Sequence, residues 1–334
     1  MDCLQARRAG NREIHPHRPR DHERIESSSR VYRAERHPRD APIPGNFDTA
    51  VVSWNASTPT GSSLLIETRA RFGTRWSRYY RVARWSTDPQ LSRTSFTAEQ
   101  DADGRLNTDT LELKRPADAL QIRVTLTRGK DSPVMTGLTA VLSHSAQHDK
   151  LITAPSSKTA WGTELSVPSR SQMIYPDGGE VWCSPTSVTM ILEHWDAKRT
   201  TQTAERVPSA ARAMWDTAYD GSGNWAFNVA YAGAKGYKAY VTRLSSLTDA
   251  EAFIARGVPL VLSIAWGIGE LDGVHLPKSG GHIVVLRGFT QQGDPIINDP
   301  AAKTDAGVRT VYKRAQLERA WITHSGGIVY VIQP

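Results

Sequence analysis

Between residue 45 and about residue 145 the apolar residues recur with a period of two, in runs too short for helices. Ala50-Val51-Val52-Ser53-Trp54, Ser63-Leu64-Leu65-Ile66-Glu67 and Ser77-Arg78-Tyr79-Tyr80-Arg81-Val82 are rich in β-branched and aromatic residues. Leu111-Glu112-Leu113 and Leu120-Gln121-Ile122-Arg123-Val124-Thr125-Leu126 alternate as strands with one wet face do. Turn-forming Thr58-Pro59-Thr60-Gly61, Asp103-Gly104 and Arg128-Gly129-Lys130-Asp131 separate them. With almost no helical signal, this stretch is expected to be an all-β, jelly-roll-like sandwich over residues 45–145. Trp54, Trp76 and Trp85 fall inside it, where they serve either as buried core or as a platform for stacking a carbohydrate or cell-wall ligand.

The pattern then changes twice. Residues 146–167 are rich in Ser, Thr and Lys with Pro155, and read as a linker. Residues 168–334 mix a helix, a helical middle region and several apolar runs, the texture of an α+β domain. Ahead of the sandwich, residues 1–44 hold ten Arg and seven Asp or Glu, close with Pro38, Pro42 and Pro44, and show no apolar periodicity. Such a segment buries too little surface to offset its ordering entropy and is expected to be a disordered basic tail.

That tail carries +3 of the formal +7, and the rest of the chain has no block of Lys and Arg interleaved with aromatics. Specific nucleic-acid binding is therefore not expected. No stretch approaches the ~18–20 apolar residues of a membrane helix, and Met1 to Asp40 contains no apolar stretch of a secretory signal. The two cysteines, Cys3 and Cys183, exclude a disulfide scaffold or a Cys-rich zinc module. His275 and His282 are seven apart and Cys183 is remote, so no zinc spacing is present, and no cofactor is called for.

Cys183 follows Gly178-Gly179-Glu180-Val181-Trp182 and precedes a helical stripe, Val188, Ile191, Leu192 and Trp195 at i, i+3, i+4 and i+7. Pro185 suits a first helical turn and Ser184 an N-cap, which puts Cys183 at the start of a buried helix. The unpaired N–H groups there stabilise an anion, and the thiolate is the nucleophilic form of cysteine. The bland alternative is a buried cysteine serving as a small hydrophobe.

A nucleophile of this kind needs a base and a group that orients the base. His282 heads the apolar run Ile283-Val284-Val285-Leu286 behind Gly280-Gly281. A turn at Gln291-Gln292-Gly293-Asp294 leads back through Pro295-Ile296-Ile297-Asn298-Asp299-Pro300. As a hairpin, this puts Asp299 at the same open end as His282, with Asn298 the competing orienter if the register shifts. His275 reads as a solvated loop residue.

Cys183-Ser184-Pro185-Thr186-Ser187 with Met190, Gly281-His282-Ile283-Val284-Val285 and Asn298-Asp299-Pro300 resemble the papain-like cysteine peptidases that process bacteriocin leaders, specifically the family-39-like group outside transporters. The resemblance covers residues 168–334. It implies a cysteine-type peptidase in which Cys183 attacks, His282 is the base, Asp299 orients it and Gln172 supplies an oxyanion donor. Ser184 departs from the glycine usual after the nucleophile. The substrate implied is a protein or peptide. The competing reading is a peptide- or glycan-binding protein with an inactive papain-like domain. A sandwich ahead of such a domain also resembles the arrangement of exported bacterial hydrolases.

Overall fold

The computed structural model describes residues 27–34, 46–152, 154–197 and 206–334. Ten strands precede the first cysteine of the described chain: β1 (Ser27–Ala34), β2 (Phe47–Ser57), β3 (Ser63–Phe72), β4 (Arg75–Trp76), β5 (Tyr80–Trp85), β6 (Thr94–Ser95), β7 (Gly104–Asn107), β8 (Thr110–Ala117), β9 (Ala119–Thr127) and β10 (Val134–Ser143). One antiparallel sheet runs β1-β9-β3-β5-β6 with β4 on β3, and a second runs β10-β2-β8-β7. β1 falls inside the segment expected to be without structure. Its pairing with β9 runs from Ser27↔Thr127 to Ala34↔Leu120, and ladder bonds of this kind need no apolar periodicity in the strand that joins. The other residues of that segment, Cys3 included, lie outside the described residues.

After a single helical turn, α1 (Ser145–His148), the C-terminal domain contains α2 (Cys183–Asp196), α3 (Val207–Ala213), α4 (Trp225–Ala234), β11 (Lys238–Arg243), α5 (Leu247–Ala255), β12 (Leu260–Trp266), β13 (Ser279–Phe289), β14 (Pro295–Asn298), β15 (Arg309–Val311), α6 (Arg314–Ser325) and β16 (Ile328–Gln333). Its sheet is antiparallel in the order β11-β16-β12-β13-β14-β15. β12 and β13 are apolar almost throughout because helices and neighbouring strands cover both faces. The region is α+β, as the sequence texture predicts. Among the described residues no helix is long and apolar enough to cross a membrane.

The two regions share one core. Trp54 and Trp85 are buried, with rings 6.2 Å apart and edge-on, and Phe227 of α4 meets Trp54 at 6.0 Å and Trp85 at 5.3 Å. Both indoles are thus core residues and unavailable to a ligand. Trp76 lies half-buried under Arg69, whose guanidinium sits 4.7 Å from its ring centre. β2 is buried along nearly its whole length, since one end of its packing meets β5 and α4 lies against it from the other domain.

Side chains of β2 also finish the edge of the C-terminal sheet. The Asn55 amide accepts from Ala239 N–H at 3.0 Å and donates to the Ala239 carbonyl at 2.8 Å, while Ser53 Oγ accepts from Val241 N–H at 3.2 Å. Ala239 and Val241 lie on β11, an edge strand whose backbone groups would otherwise face outward. Gly233 permits the approach: a Cβ there would stand 2.5 Å from the Asn55 amide nitrogen.

The segment expected to be a linker is docked. Trp161 bridges to Phe289 and Glu164 to Gly288, and Leu165 exchanges bonds with Arg287 through its N–H (2.8 Å) and its carbonyl (3.0 Å). Buried Glu251 on α5 gathers Ser156 Oγ (2.7 Å), Trp161 Nε1 (3.0 Å) and Arg314 (2.8 Å). A Ser- and Thr-rich segment is satisfied here by polar contacts that hydrophobic patterning does not register.

Candidate active site

Helix α2 begins at Cys183 itself, with Trp182 at the N-cap position and Gly178 in the left-handed region (φ 115°) turning the chain into it. Ser184, expected as the cap, instead lies inside the first turn with Oγ 3.1 Å from the Tyr330 hydroxyl of β16. The Cys183 thiol therefore sits among N–H groups that have no partner within the helix. Ser187, one turn further, donates to the carbonyl of Ile283 at 3.1 Å. That bond ties the start of α2 to β13 one residue beyond His282, so cysteine and histidine are brought to one place from separate elements.

His282 pairs across β12–β13 with Ile264, and the indole of Trp266 stands edge-on to its ring at 5.6 Å. β13 and β14 form the expected hairpin, with Val285 opposite Asn298. Asp299 comes off its end with Oδ1 2.7 Å from His282 Nε2, and both side chains are fully buried. Ala301 N–H donates to Oδ1 at 2.9 Å and the Tyr312 hydroxyl to Oδ2 at 2.5 Å. Burial pushes the Asp299 carboxyl up, but the facing imidazole and these hydrogen bonds outweigh it and hold the group down at about 2. An ionised carboxylate only accepts, so His282 Nε2 carries a proton and Nδ1 is the nitrogen left to exchange one.

Asn298, the competing candidate, has its hydrogen bonds elsewhere. Its amide donates to the Pro168 carbonyl at 3.0 Å and its oxygen accepts from Arg287 at 3.1 Å, both on the face away from His282. The strand's period of two separates the neighbours: Asn298 fastens the docked 164–168 segment and Asp299 meets the histidine.

Gln172 is 1% exposed, in a single 3-10 turn capped by Ser171. Its N–H donates to the Pro300 carbonyl at 2.8 Å, next to Asp299, and its side-chain amide donates to the Gly179 carbonyl at 2.8 Å, in the loop before Cys183. Gly179 is again needed for closeness, since a Cβ would meet the Gln172 carbonyl oxygen at 2.1 Å. His275 is exposed on the loop between β12 and β13, and His194 packs on Trp195 and lies 2.7 Å from the Ser166 carbonyl.

Sequence reasoning missed Tyr312 and Tyr330, neither of which carries a local motif, and gave Ser187 and Trp266 no contact of their own. Each acquires its place through a strand pairing or a helix–sheet contact that only the folded chain creates.

The described chain thus has a cysteine at the start of a buried helix of an α+β domain, tied through Ser187 to the strand that carries a buried histidine–carboxylate pair. Residues 164–328 match the Peptidase_C39 like family, and residues 8–143 match the Peptidase C39 N-terminal domain. The C-terminal part of the chain is thus a Peptidase_C39-like domain preceded by the N-terminal domain associated with it by name. Among solved structures, one described as a C39-like peptidase from Bacillus anthracis is 16% identical, covering 52% of this chain and 98% of that one with a TM-score of 0.34. Xylellain, a cysteine protease from Xylella fastidiosa, is 12% identical over 55% of this chain and 91% of its own, with a TM-score of 0.32. No curated protein is similar enough to match the chain.

Proposed function

We propose that this protein is a papain-like cysteine peptidase that hydrolyses peptide bonds of a protein or peptide through an acyl-enzyme. The Cys183 thiolate attacks the scissile carbonyl carbon. The oxyanion that forms accepts hydrogen bonds from the Gln172 amide and the Cys183 N–H. His282, as imidazolium, gives its Nδ1 proton to the leaving amine, and the C–N bond breaks to leave a thioester on Cys183. Water then loses a proton to Nδ1 as it attacks the thioester, and the acid leaves as the thiolate–imidazolium pair is restored. Asp299 stabilises the imidazolium and fixes its ring without taking the proton. The two N-terminal sheets are taken as a jelly-roll-like sandwich that acts as a fixed wall of the enzyme.

The observation that carries this reading is the fully buried His282–Asp299 pair, 2.7 Å apart, on the strand to which Ser187 ties the start of the cysteine helix. The test is iodoacetamide alkylation of Cys183 against pH, in a Cys3→Ser background, read by intact mass. The rate is expected to hold well below the ordinary thiol range of about 8.5 and to fall there in His282→Ala. A Cys183 that titrates as an ordinary thiol in the folded protein would remove the nucleophile and favour a domain that only binds peptide.

A further inference from the structure

We infer that Tyr312 is a positioning residue of the same site: its hydroxyl fixes the Asp299 carboxylate so that Oδ1 alone faces His282. This rests on the peptidase reading above. A carboxylate held through one oxygen can turn about its Cβ–Cγ bond and present either oxygen, or neither, to the imidazole. Here Oδ1 receives His282 Nε2 and Ala301 N–H, while Oδ2 receives the Tyr312 hydroxyl at 2.5 Å. With donors on both oxygens, turning the carboxylate would break at least one of these bonds.

Tyr312 is itself held to the strand that delivers Asp299. β15 pairs with β14 at Ile296↔Val311 and Asn298↔Arg309, and Tyr312 N–H donates to the Pro295 carbonyl at the start of β14 at 3.2 Å. Asp299 N–H donates to the Val308 carbonyl at 2.8 Å on the other side of the same pairing. Donor and acceptor thus ride on adjacent strands of one sheet, and a shift of either would break ladder bonds. The ring is fully buried. Burial and the neighbouring carboxylate push the phenol upward, so it remains a protonated donor throughout the working range. His282 and Tyr312 are the titratable side chains that hydrogen-bond Asp299 among the described residues.

The experiment compares four proteins in the Cys3→Ser background: the parent, Tyr312→Phe, Asp299→Asn and the double variant. For each, the iodoacetamide alkylation rate of Cys183 is measured at pH 5 and pH 9, with thermal unfolding as the check on folding. The ratio of the two rates is the readout. A merely structural loosening changes access at both pH values alike, whereas weaker support of the imidazolium lowers the rate only at pH 5. The ratio is expected to fall about tenfold or more in Tyr312→Phe, to fall at least as far in Asp299→Asn, and to fall no further in the double variant. An unchanged ratio in Tyr312→Phe beside a collapsed one in Asp299→Asn overturns the role of Tyr312 and leaves the peptidase reading standing. An additional loss in the double variant overturns it too, because Tyr312 would then act elsewhere. An unchanged ratio in both single variants overturns the peptidase reading itself. Should Tyr312→Phe not fold, 3,5-difluorotyrosine at position 312 decides. It keeps the ring and hydroxyl as a stronger donor, so the ratio must stay at or above the parent's, and a fall overturns the inference.

Discussion

Asp299 Oδ1 lies 2.7 Å from His282 Nε2 with no solvent at either side chain, and the carboxyl is held at about 2. Because its folded value is below the ordinary 3.8, the group stabilises the fold above pH ~4 and loses that contribution as pH falls toward 2. The shift corresponds to about 2 kcal/mol. Urea unfolding of the parent is expected to weaken over this window, and Asp299→Asn to flatten that part of the profile. Peptidase activity in Asp299→Asn is expected to fall by about 10²–10⁴, since the imidazolium loses its countercharge and its tautomer is no longer fixed.

Asp109 is the opposite case. It is buried, accepts the Trp225 N–H at the start of α4 at 2.7 Å, and burial pushes its carboxyl up to about 6 against the pull of its hydrogen bonds. The folded state therefore binds the proton more tightly than the unfolded chain, and stability falls as pH rises from about 4 to about 6. Asp109→Asn keeps an acceptor for Trp225 and removes the buried charge. It is expected to raise stability at pH 7 by about 3 kcal/mol and to make no difference below pH 4, as read by denaturant midpoints at the two pH values.

Gln172 donates to the Gly179 carbonyl beside the cysteine loop and has its own N–H anchored on Pro300. Gln172→Ala is expected to reduce kcat by about 10²–10³ with little change in KM, because the lost donor serves the transition state. Alkylation of Cys183 is expected to be unaltered, which separates this role from thiol activation. Equal losses in alkylation would show that Gln172 merely holds the loop.

Asn55 reaches from the N-terminal sheet to both backbone groups of Ala239. Asn55→Ala leaves a donor and an acceptor on an edge strand without their partners and opens a cavity beside Gly233. A loss of about 1–3 kcal/mol is expected in chemical denaturation. If the two regions unfold as one cooperative unit, a single transition moves; separate transitions would show that the seam contributes little to cooperativity.

The elements that could be read without a structure are those whose signal is local. Five β-runs of the N-terminal region, the stripe of α2 and the hairpin of β13 and β14 all declare themselves within a dozen or so neighbours. The His282–Asp299 pair was legible because 17 residues and one tight turn separate its members. β10 escaped: a register shift between Met135 and Gly137 breaks its alternation, and its residues are nearly all half-buried. The expected start of the third β-run at Ser77 also fails, since β5 begins only at Tyr80.

Periodicity and side-chain chemistry thus determined that a sheet-rich region precedes an α+β one and supplied the nucleophile, base and carboxylate as candidates. Tertiary structure alone turned Asn298 away from His282, placed Tyr312 behind Asp299, seated the 160–167 segment on β13 and joined Asn55 to Ala239 across 184 residues. Hydrogen bonds between distant segments leave no trace in local patterning, because a polar side chain has the same sequence neighbours whether water or a remote strand satisfies it.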